Sequence, residues 1–110
     1  MKQFLILIKG KKELSYEPEA LQKRMDEYRQ WVETIEDHYI SDQRLERTGA
    51  YIKDKQTIST DGPFLESKEI IAGYTIIQAE DLNNAISIAK SCPLLNHFEL
   101  IVRPIVDSTQ

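Results

Sequence analysis

The sequence has 110 residues, of which 41% are hydrophobic and 29% are charged, and this balance predicts one globular domain with its own core. The net charge is −4 and the basic residues are scattered, which argues against a nucleic-acid-binding protein, because phosphate binding needs clustered Lys and Arg. The lone Cys92 allows no internal disulfide, and the N-terminal apolar run is too short to span a membrane, so we expect a cytoplasmic protein.

The first part of the chain predicts a strand followed by a long helix. The apolar run from Gln3 to Ile8 is typical of a buried strand. Pro18 suits the first turn of a helix, which we expect to extend to Asp37. The predicted buried stripe of this helix contains Leu21, Met25, Tyr28, Val32 and Ile35, and its predicted opposite face carries Lys23, Arg24, Asp26, Glu27 and Gln30.

The middle of the chain has a weaker pattern. Irregular strand is indicated from Arg44 to Thr48 and from Ala50 to Ile52, and Asp54-Lys55 indicates a turn. A returning strand is expected from Thr57 to Thr60. The segment TDGPFLESKE then follows, from Thr60 to Glu69.

The last part predicts a strand, a helix and a final strand. The strand from Ile70 to Gln78 has the clearest pattern. Asp81 is a good N-cap for a second helix, and Pro93 prevents that helix from continuing. The final strand is expected from Phe98 to Arg103.

This element order predicts an α+β fold, namely a ferredoxin-like βαββαβ sheet with both helices on one face. The first strand is apolar on both faces, with Phe4, Ile6 and Ile8 on one and Leu5 and Leu7 on the other. Helices cover one face only, so the other face would expose a large apolar patch. We therefore expect a homodimer in which two sheets pack face to face.

The TDGPFLESKE segment allows two interpretations. Asp61-Gly62 is a strong turn signal, and Asp61 can bond to the backbone of its own turn. In the functional interpretation, Asp61 shares a cleft with Glu66 and acts as a general acid or base, since a carboxylate beside an apolar wall can have a raised pKa. Lys68 or Arg44 would then hold an anionic group of the ligand.

The same residues resemble a known family. The contiguous Thr60–Phe64 segment, the following ESKE and Gly73-Tyr74 are similar to the signature of the DGPF family of YCII-related domain proteins. The resemblance covers nearly the whole chain, and it implies a dimeric α/β barrel built from ferredoxin-like protomers. Some relatives are associated with alternative sigma factors, which implies a regulatory partner as one role.

The resemblance also implies site residues. In the broader group a histidine on the first helix and an aspartate are proposed as a catalytic pair, but the predicted helix here has no histidine before His38 at its end. Only Asp61 is therefore carried over as catalytic, with Glu66 and Lys68 as its motif neighbours. Tyr28 is expected to pack in the core, with its hydroxyl able to face the cleft.

Other chemistries have weaker support. His38 and His97 show no metal-ligand spacing, so we expect no metal and no cofactor, and haem binding remains an alternative from fold analogy alone. Cys92 lacks a nearby base, which favours a buried structural thiol. An RNA-binding sheet would need aromatic and basic residues on its central strand, and the strand from Ile70 to Gln78 has only Tyr74.

Two classes of function therefore remain open. The first is a small-molecule cleft, either in an acid–base enzyme or in a binding or sensor module. The second is a non-catalytic dimeric partner protein, including one linked to transcription regulation.

Overall fold

The computed structural model describes residues 1–10, 17–46, 48–59 and 71–107. The described residues form a mixed α+β fold with two α-helices and an open antiparallel sheet. In chain order the elements are β1 (Lys2–Lys9), α1 (Pro18–Thr34), β2 (Tyr39–Arg44), β3 (Tyr51–Ile52), β4 (Ile58–Ser59), β5 (Ile71–Ala79), α2 (Leu82–Lys90), a short 3₁₀ helix (Pro93–Asn96) and β6 (Glu99–Pro104).

The main sheet has four strands in the order β2-β5-β1-β6, and every neighbouring pair is antiparallel. β1 and β5 are therefore central, which explains why their sequences are the most apolar. The pairing of β2 with β5 continues past Arg44, because the Leu45 amide donates to the Ala72 carbonyl at 2.8 Å. β3 and β4 form a separate two-stranded ribbon.

The inner face of the sheet carries the core. Phe4, Ile6 and Ile77 are at most 2% exposed, and they pack against Trp31 of α1 and Ala85 of α2. On the outer face, the side chains of the central strands are only half-buried. These side chains belong to Leu5, Leu7, Ala72, Tyr74 and Ile76. The predicted alternation of β1 is therefore confirmed, and β5 alternates in the same way.

Helix α1 begins with Pro18, where a missing amide proton costs no hydrogen bond. It ends at Thr34 rather than at Asp37, because Ile35 leaves helical geometry and its carbonyl accepts from the amides of His38 and Tyr39 in a tight turn. The predicted helix was thus three residues too long.

One prediction about the faces of α1 was wrong. Arg24 was placed on the polar face, yet it is only 7% exposed. It lies on the same side as Tyr28 and Trp31, at spacings of four and seven residues, which one helix face brings together. Arg24 also lines the cavity described below.

The predicted boundaries of the second strand were also wrong. β2 starts at Tyr39, well before the predicted Arg44. A bulge between Tyr39 and Ser41 inserts one residue, and this breaks the alternation by which a strand is recognised. The turn predicted at Asp54 is confirmed, because its Oδ1 accepts from the amides of Gln56 and Thr57.

Helix α2 is fixed at both ends as predicted. The Asp81 carboxylate accepts from the Asn84 amide at 2.8 Å, which satisfies one of the free N–H groups of the first turn. The helix ends before Pro93, and Cys92 is buried there. Trp31 donates from Nε1 to the Ser91 hydroxyl at 2.8 Å, which joins α1 to the end of α2. In the described residues, neither helix combines the length and the apolar character that crossing a membrane requires.

Candidate functional site

A cavity of about 580 Å³ lies between α1 and the inner face of the sheet at its β2 edge. Helix α1 packs on the core through Trp31, and it lines the cavity along most of its length, from Leu21 to Glu33. The floor is formed by the ends of β1, β2 and β5, and Phe98 completes an apolar side. The volume is in the range typical of small-molecule sites.

A cluster of hydroxyl groups surrounds one carboxylate in this cavity. The Tyr28 hydroxyl donates to Asp42 Oδ2 at 3.1 Å, and the Tyr39 hydroxyl donates to the same oxygen at 2.6 Å. Tyr28 also shares a hydrogen bond of 2.7 Å with the hydroxyl of Thr75, which is 1% exposed. We call Tyr28, Tyr39, Asp42 and Thr75 the hydroxyl–carboxylate cluster.

Strand register and one irregularity bring this cluster together. Asp42 pairs with Thr75 across β2 and β5, so both side chains point toward α1. Tyr39 and Asp42 are three residues apart, an odd number that normally puts two strand residues on opposite faces. The bulge at Ile40 adds one residue and returns both to the inner face.

Gly73 allows β2 to approach closely at this point. A Cβ built on Gly73 would lie 2.6 Å from the Gln43 carbonyl oxygen and 3.3 Å from Arg44 Cα. The first distance is well below van der Waals contact. The absence of a side chain at this position therefore sets how near β2, with Asp42, lies to β5.

Burial changes the acidity of both tyrosines. Burial is the main cause that raises the pKa of Tyr28 above its ordinary value; the hydrogen bond with Thr75 opposes this increase and the Asp42 charge adds to it. Burial, with the hydrogen bond to Asp42 and its charge, raises the pKa of Tyr39 to about 12. Both phenols therefore stay protonated at neutral pH and act as hydrogen-bond donors.

The carboxylate retains capacity for another partner. Both tyrosine hydroxyls donate their hydrogen bonds to Oδ2 of Asp42. Among the described residues, no group donates a hydrogen bond to Oδ1. Asp42 lines the cavity. An ionised carboxylate accepts up to about four hydrogen bonds, so Asp42 can accept a proton or a donor from a bound molecule.

Arginines line another part of the cavity wall. Arg24 extends from α1 and is buried, whereas Arg44 extends from the end of β2 and is exposed. Arg44 Nη1 donates to Met25 Sδ at 3.0 Å, which joins β2 to α1 beside the cavity. A thioether is a weak acceptor, so this contact uses little of the guanidinium's capacity.

The predicted site residues have different positions. Tyr28 and Arg44 both line the cavity, and the Tyr28 hydroxyl is hydrogen-bonded to Asp42, which lines it too. Asp61, Glu66 and Lys68 lie outside the described residues. Ile71, the first described residue after them, lines the cavity.

Sequence reasoning missed Asp42, Tyr39 and Arg24. Asp42 has no motif around it, and the bulge hides the face that it shares with Tyr39. For Arg24 a signal was available, since it is four residues before Tyr28 and seven before Trp31.

The described residues give little support to haem binding, to a reactive cysteine or to a metal site. His38 Nδ1 is 2.9 Å from the Gln78 carbonyl oxygen, and neither His38 nor His97 lines the cavity. Burial raises the pKa of Cys92 to about 11, so its reactive thiolate is scarce at neutral pH. In the described part of the chain, no three His, Cys, Asp or Glu side chains are grouped as metal ligands.

One comparison with a solved structure agrees with this architecture. A solved structure of 5-chloro-2-hydroxyhydroquinone dehydrochlorinase from Burkholderia phenoliruptrix AC1100, in complex with 2,5-dihydroxybenzoquinone, is 18% identical with a TM-score of 0.56; the match covers 97% of this chain and 96% of that one. A protein from Arabidopsis thaliana is 12% identical with a TM-score of 0.47, over 98% of this chain and 96% of that one. No curated protein matches significantly. The sequence model described as YCII-related domain matches residues 3–109, nearly the entire chain, and the chain therefore belongs to the YCII-related domain family.

Proposed function

We propose that this protein binds a small molecule in the cavity beneath α1 and transfers a proton to or from it. The observation that carries this proposal is the hydroxyl–carboxylate cluster, in which Asp42 receives two tyrosine hydroxyls at 2.6 and 3.1 Å and still lines a cavity of about 580 Å³.

The two residue types have complementary roles in this proposal. Asp42 acts as the general base, because a carboxylate accepts a proton from an acidic C–H or O–H within hydrogen-bond reach. Tyr28 remains protonated because burial raises its pKa, and its single proton is donated to Asp42 in the free protein. Once Asp42 has taken up the substrate proton, the Tyr28 hydroxyl can turn and donate to the oxyanion that forms next to the carbonyl. Tyr39 holds Asp42 in place through the shortest hydrogen bond of the cluster.

The two candidate proton-transfer residues are a tyrosine on α1, Tyr28, and an aspartate on β2, Asp42. The resemblance implies a histidine on this helix, and the helix has none. A neutral phenol does not take up a second proton at neutral pH, whereas a neutral imidazole can. We therefore assign the base role to Asp42 alone, and the reaction needs a substrate with an already acidic proton.

The fold likeness guides the choice of compounds. The dehydrochlorinase structure contains 2,5-dihydroxybenzoquinone, a small ring with carbonyl and hydroxyl groups. At 18% identity this supports a shared fold and no shared substrate. It is nevertheless a reason to test hydroxylated and enolisable ring compounds first.

A thermal-shift screen of such a panel tests the proposal, because a ligand that binds only the native state raises the melting temperature. We expect some compounds to stabilise the wild type and to lose this effect in Asp42→Asn and Tyr28→Phe. Glu36→Gln is the matched control, since Glu36 is exposed and lies outside the cavity. Ligands that stabilise all four proteins equally would show that the cluster is not the site.

An exchange experiment with the same ligands distinguishes catalysis from simple binding. If Asp42 removes a proton, a bound compound exchanges its acidic C–H for deuterium faster with wild type than with Asp42→Asn. General-base catalysis contributes typically about 10²–10⁴-fold. Binding without faster exchange would identify a binding or sensor module.

We also propose that Asp61 is part of this site, with Glu66 and Lys68 as neighbours. Support comes from the motif resemblance and from Ile71, which lines the cavity and is two residues after the end of this segment in the sequence. Asp61→Ala is tested with the same panel.

For the assembly, we propose a homodimer of ferredoxin-like protomers packed as a dimeric α/β barrel. The antiparallel order β2-β5-β1-β6 supports this arrangement, as do the half-buried apolar side chains on the outer face of β1 and β5. Ile101 of β6 extends this face and is 40% exposed. A second copy would remove these side chains from water.

Light scattering after size-exclusion chromatography tests the dimer. We expect wild type to have twice the chain mass of 12.8 kDa, and Leu7→Glu to be monomeric. Ile52→Glu is the control, because Ile52 is 64% exposed on the separate ribbon. A monomeric wild type at micromolar concentration would contradict the proposal.

A second function, that of a non-catalytic partner protein, is favoured by a different observation. Tyr51, Ile52 and Ile58 expose apolar side chains on the β3–β4 ribbon, at 52%, 64% and 61%. This function gains support if no compound of the panel binds the wild type.

A further inference from the structure

We infer that Thr75 is a positioning residue for the proton transfer, because its hydroxyl fixes the direction in which the Tyr28 hydroxyl donates. This inference rests on the proposed function and gives a role to the fourth member of the hydroxyl–carboxylate cluster. It begins with the place of Thr75 on β5, where the side chain is 1% exposed in the core.

A hydroxyl group is unexpected at this position. Thr75 pairs with Ile6 of β1 on one side and with Asp42 of β2 on the other. Ile77, the next inward-facing residue of β5, is fully buried. A buried hydroxyl costs free energy unless it is hydrogen-bonded, whereas valine has nearly the same shape and no such cost. The hydrogen bond of 2.7 Å between the hydroxyls of Thr75 and Tyr28 compensates this cost.

The direction of each hydrogen bond follows from the number of protons. Tyr28 has one hydroxyl proton, and it donates this proton to Asp42 Oδ2. The contact between the two hydroxyls therefore requires that Thr75 donates to the Tyr28 oxygen. The acidity of Tyr28 agrees with this direction: burial raises its pKa, and the hydrogen bond with Thr75 opposes that increase, as expected of a donor to a phenol oxygen.

This arrangement keeps the Tyr28 hydrogen on the side of the cavity. Thr75 does not line the cavity, whereas Tyr28 and Asp42 do. When Asp42 has taken up the substrate proton, the Tyr28 hydrogen turns to the oxyanion by rotation about one C–O bond, while Thr75 still donates to the same oxygen. A donor held in this way needs little reorganisation during the reaction. Thr75 therefore acts through Tyr28 without touching the ligand.

The first test needs no ligand. Fluorotyrosine at position 28 has a more acidic phenol than tyrosine, and fluorine NMR follows its ionisation in the folded protein. We expect Thr75→Val to raise the pKa of this phenol, because the variant lacks the hydrogen bond that lowers it, and Thr75→Ser to leave it unchanged. The titratable groups that act on Tyr28 are Asp42 and Tyr39, and every variant retains both.

The second test uses 2-tetralone, a ring ketone whose C–H beside the carbonyl exchanges slowly with deuterium. At saturating 2-tetralone we expect Thr75→Val to reduce the exchange rate about two- to tenfold, which corresponds to one hydrogen bond, with the affinity unchanged. Thr75→Ser should restore most of the rate. Thr34→Val is the matched control, because the Thr34 hydroxyl donates to the Trp31 carbonyl outside the cavity.

The outcomes separate this inference from the proposed function. An unchanged pKa of the phenol in Thr75→Val, a loss of exchange that Thr75→Ser does not restore, or a loss confined to affinity overturns the inference. If Thr75→Val does not fold, Thr75→Ala removes the same hydroxyl. If the wild type and Thr75→Val accelerate exchange equally, the proposed function is supported and the inference is refuted. If the wild type does not accelerate exchange, proton transfer is contradicted for this ketone, whereas the NMR titration still decides whether Thr75 directs the Tyr28 hydroxyl.

Discussion

Gly73→Ala is expected to destabilise the protein and to disturb the cavity. Gly73 lies on β5, where a Cβ would be 2.6 Å from the Gln43 carbonyl oxygen. Ordinary contact of a carbon with an oxygen needs about 3.4 Å, so β2 must move by about 0.8 Å. The group in the way is backbone, and no side-chain rotation can relieve the contact.

The magnitude follows from two opposing contributions. Alanine restricts the unfolded chain more than glycine does, which would stabilise the fold by about 0.4–1 kcal/mol. Against this, insertion of a methyl group into a tight site costs about 1–3 kcal/mol. Weakening of the nearby hydrogen bond from the Leu45 amide to the Ala72 carbonyl adds about 1 kcal/mol. We therefore expect a net loss of about 1–3 kcal/mol in the free energy of unfolding.

Urea unfolding at neutral pH measures this loss as a lower midpoint with an unchanged slope. Ala72→Ser is the control, since the adjacent side chain is only half-buried on the other face. We expect Gly73→Ala also to lose the rise in melting temperature that a ligand causes, because the same movement of β2 displaces Asp42. A Gly73→Ala protein as stable as the wild type would refute the argument from close approach.

Three further predictions concern acidity, capping and the motif. Because the folded-state pKa of Tyr39 is raised to about 12 and that of Tyr28 is also raised, their stabilising effect is complete below about pH 10. It is lost as the pH rises through the folded values, so the free energy of unfolding should fall above about pH 10, and this fall should be smaller in each Tyr→Phe variant. Tyrosinate absorbance follows the ionisation, and ionisation of both phenols below pH 11 in the folded protein would contradict the reasoning. Asp81→Ala removes the acceptor of the Asn84 amide and should cost about 0.5–2 kcal/mol in thermal unfolding, with Asp81→Asn nearly neutral; an equal loss in both variants would contradict a capping role. Asp61→Ala should melt within a few degrees of wild type and lose ligand stabilisation, whereas a large fall in melting temperature with unchanged binding would identify a structural turn.

Much of the secondary structure could be predicted from the sequence, because the signals are local. The apolar runs of β1 and β5 and the helical stripe with Tyr28 need only a few neighbouring residues to be recognised. The Asp81 cap and the end of α2 before Pro93 are equally local. The family resemblance was local as well, since it rests on the Thr60–Phe64 motif and its neighbours.

The site was harder to predict, because its parts come from distant positions. Asp42 meets Thr75 only through the register of β2 and β5, and Tyr28 reaches both from α1. The bulge at Ile40 reverses the face of Tyr39 relative to a regular strand, and nothing local marks it.

The sequence by itself determined the element types, the family and two lining residues, Tyr28 and Arg44. Only the tertiary structure decided that Arg24 turns inward and that Asp42 is held by two tyrosines. The physical reason is that periodicity reports which residues avoid water, whereas a polar residue is placed inward by partners and cavities that other segments provide.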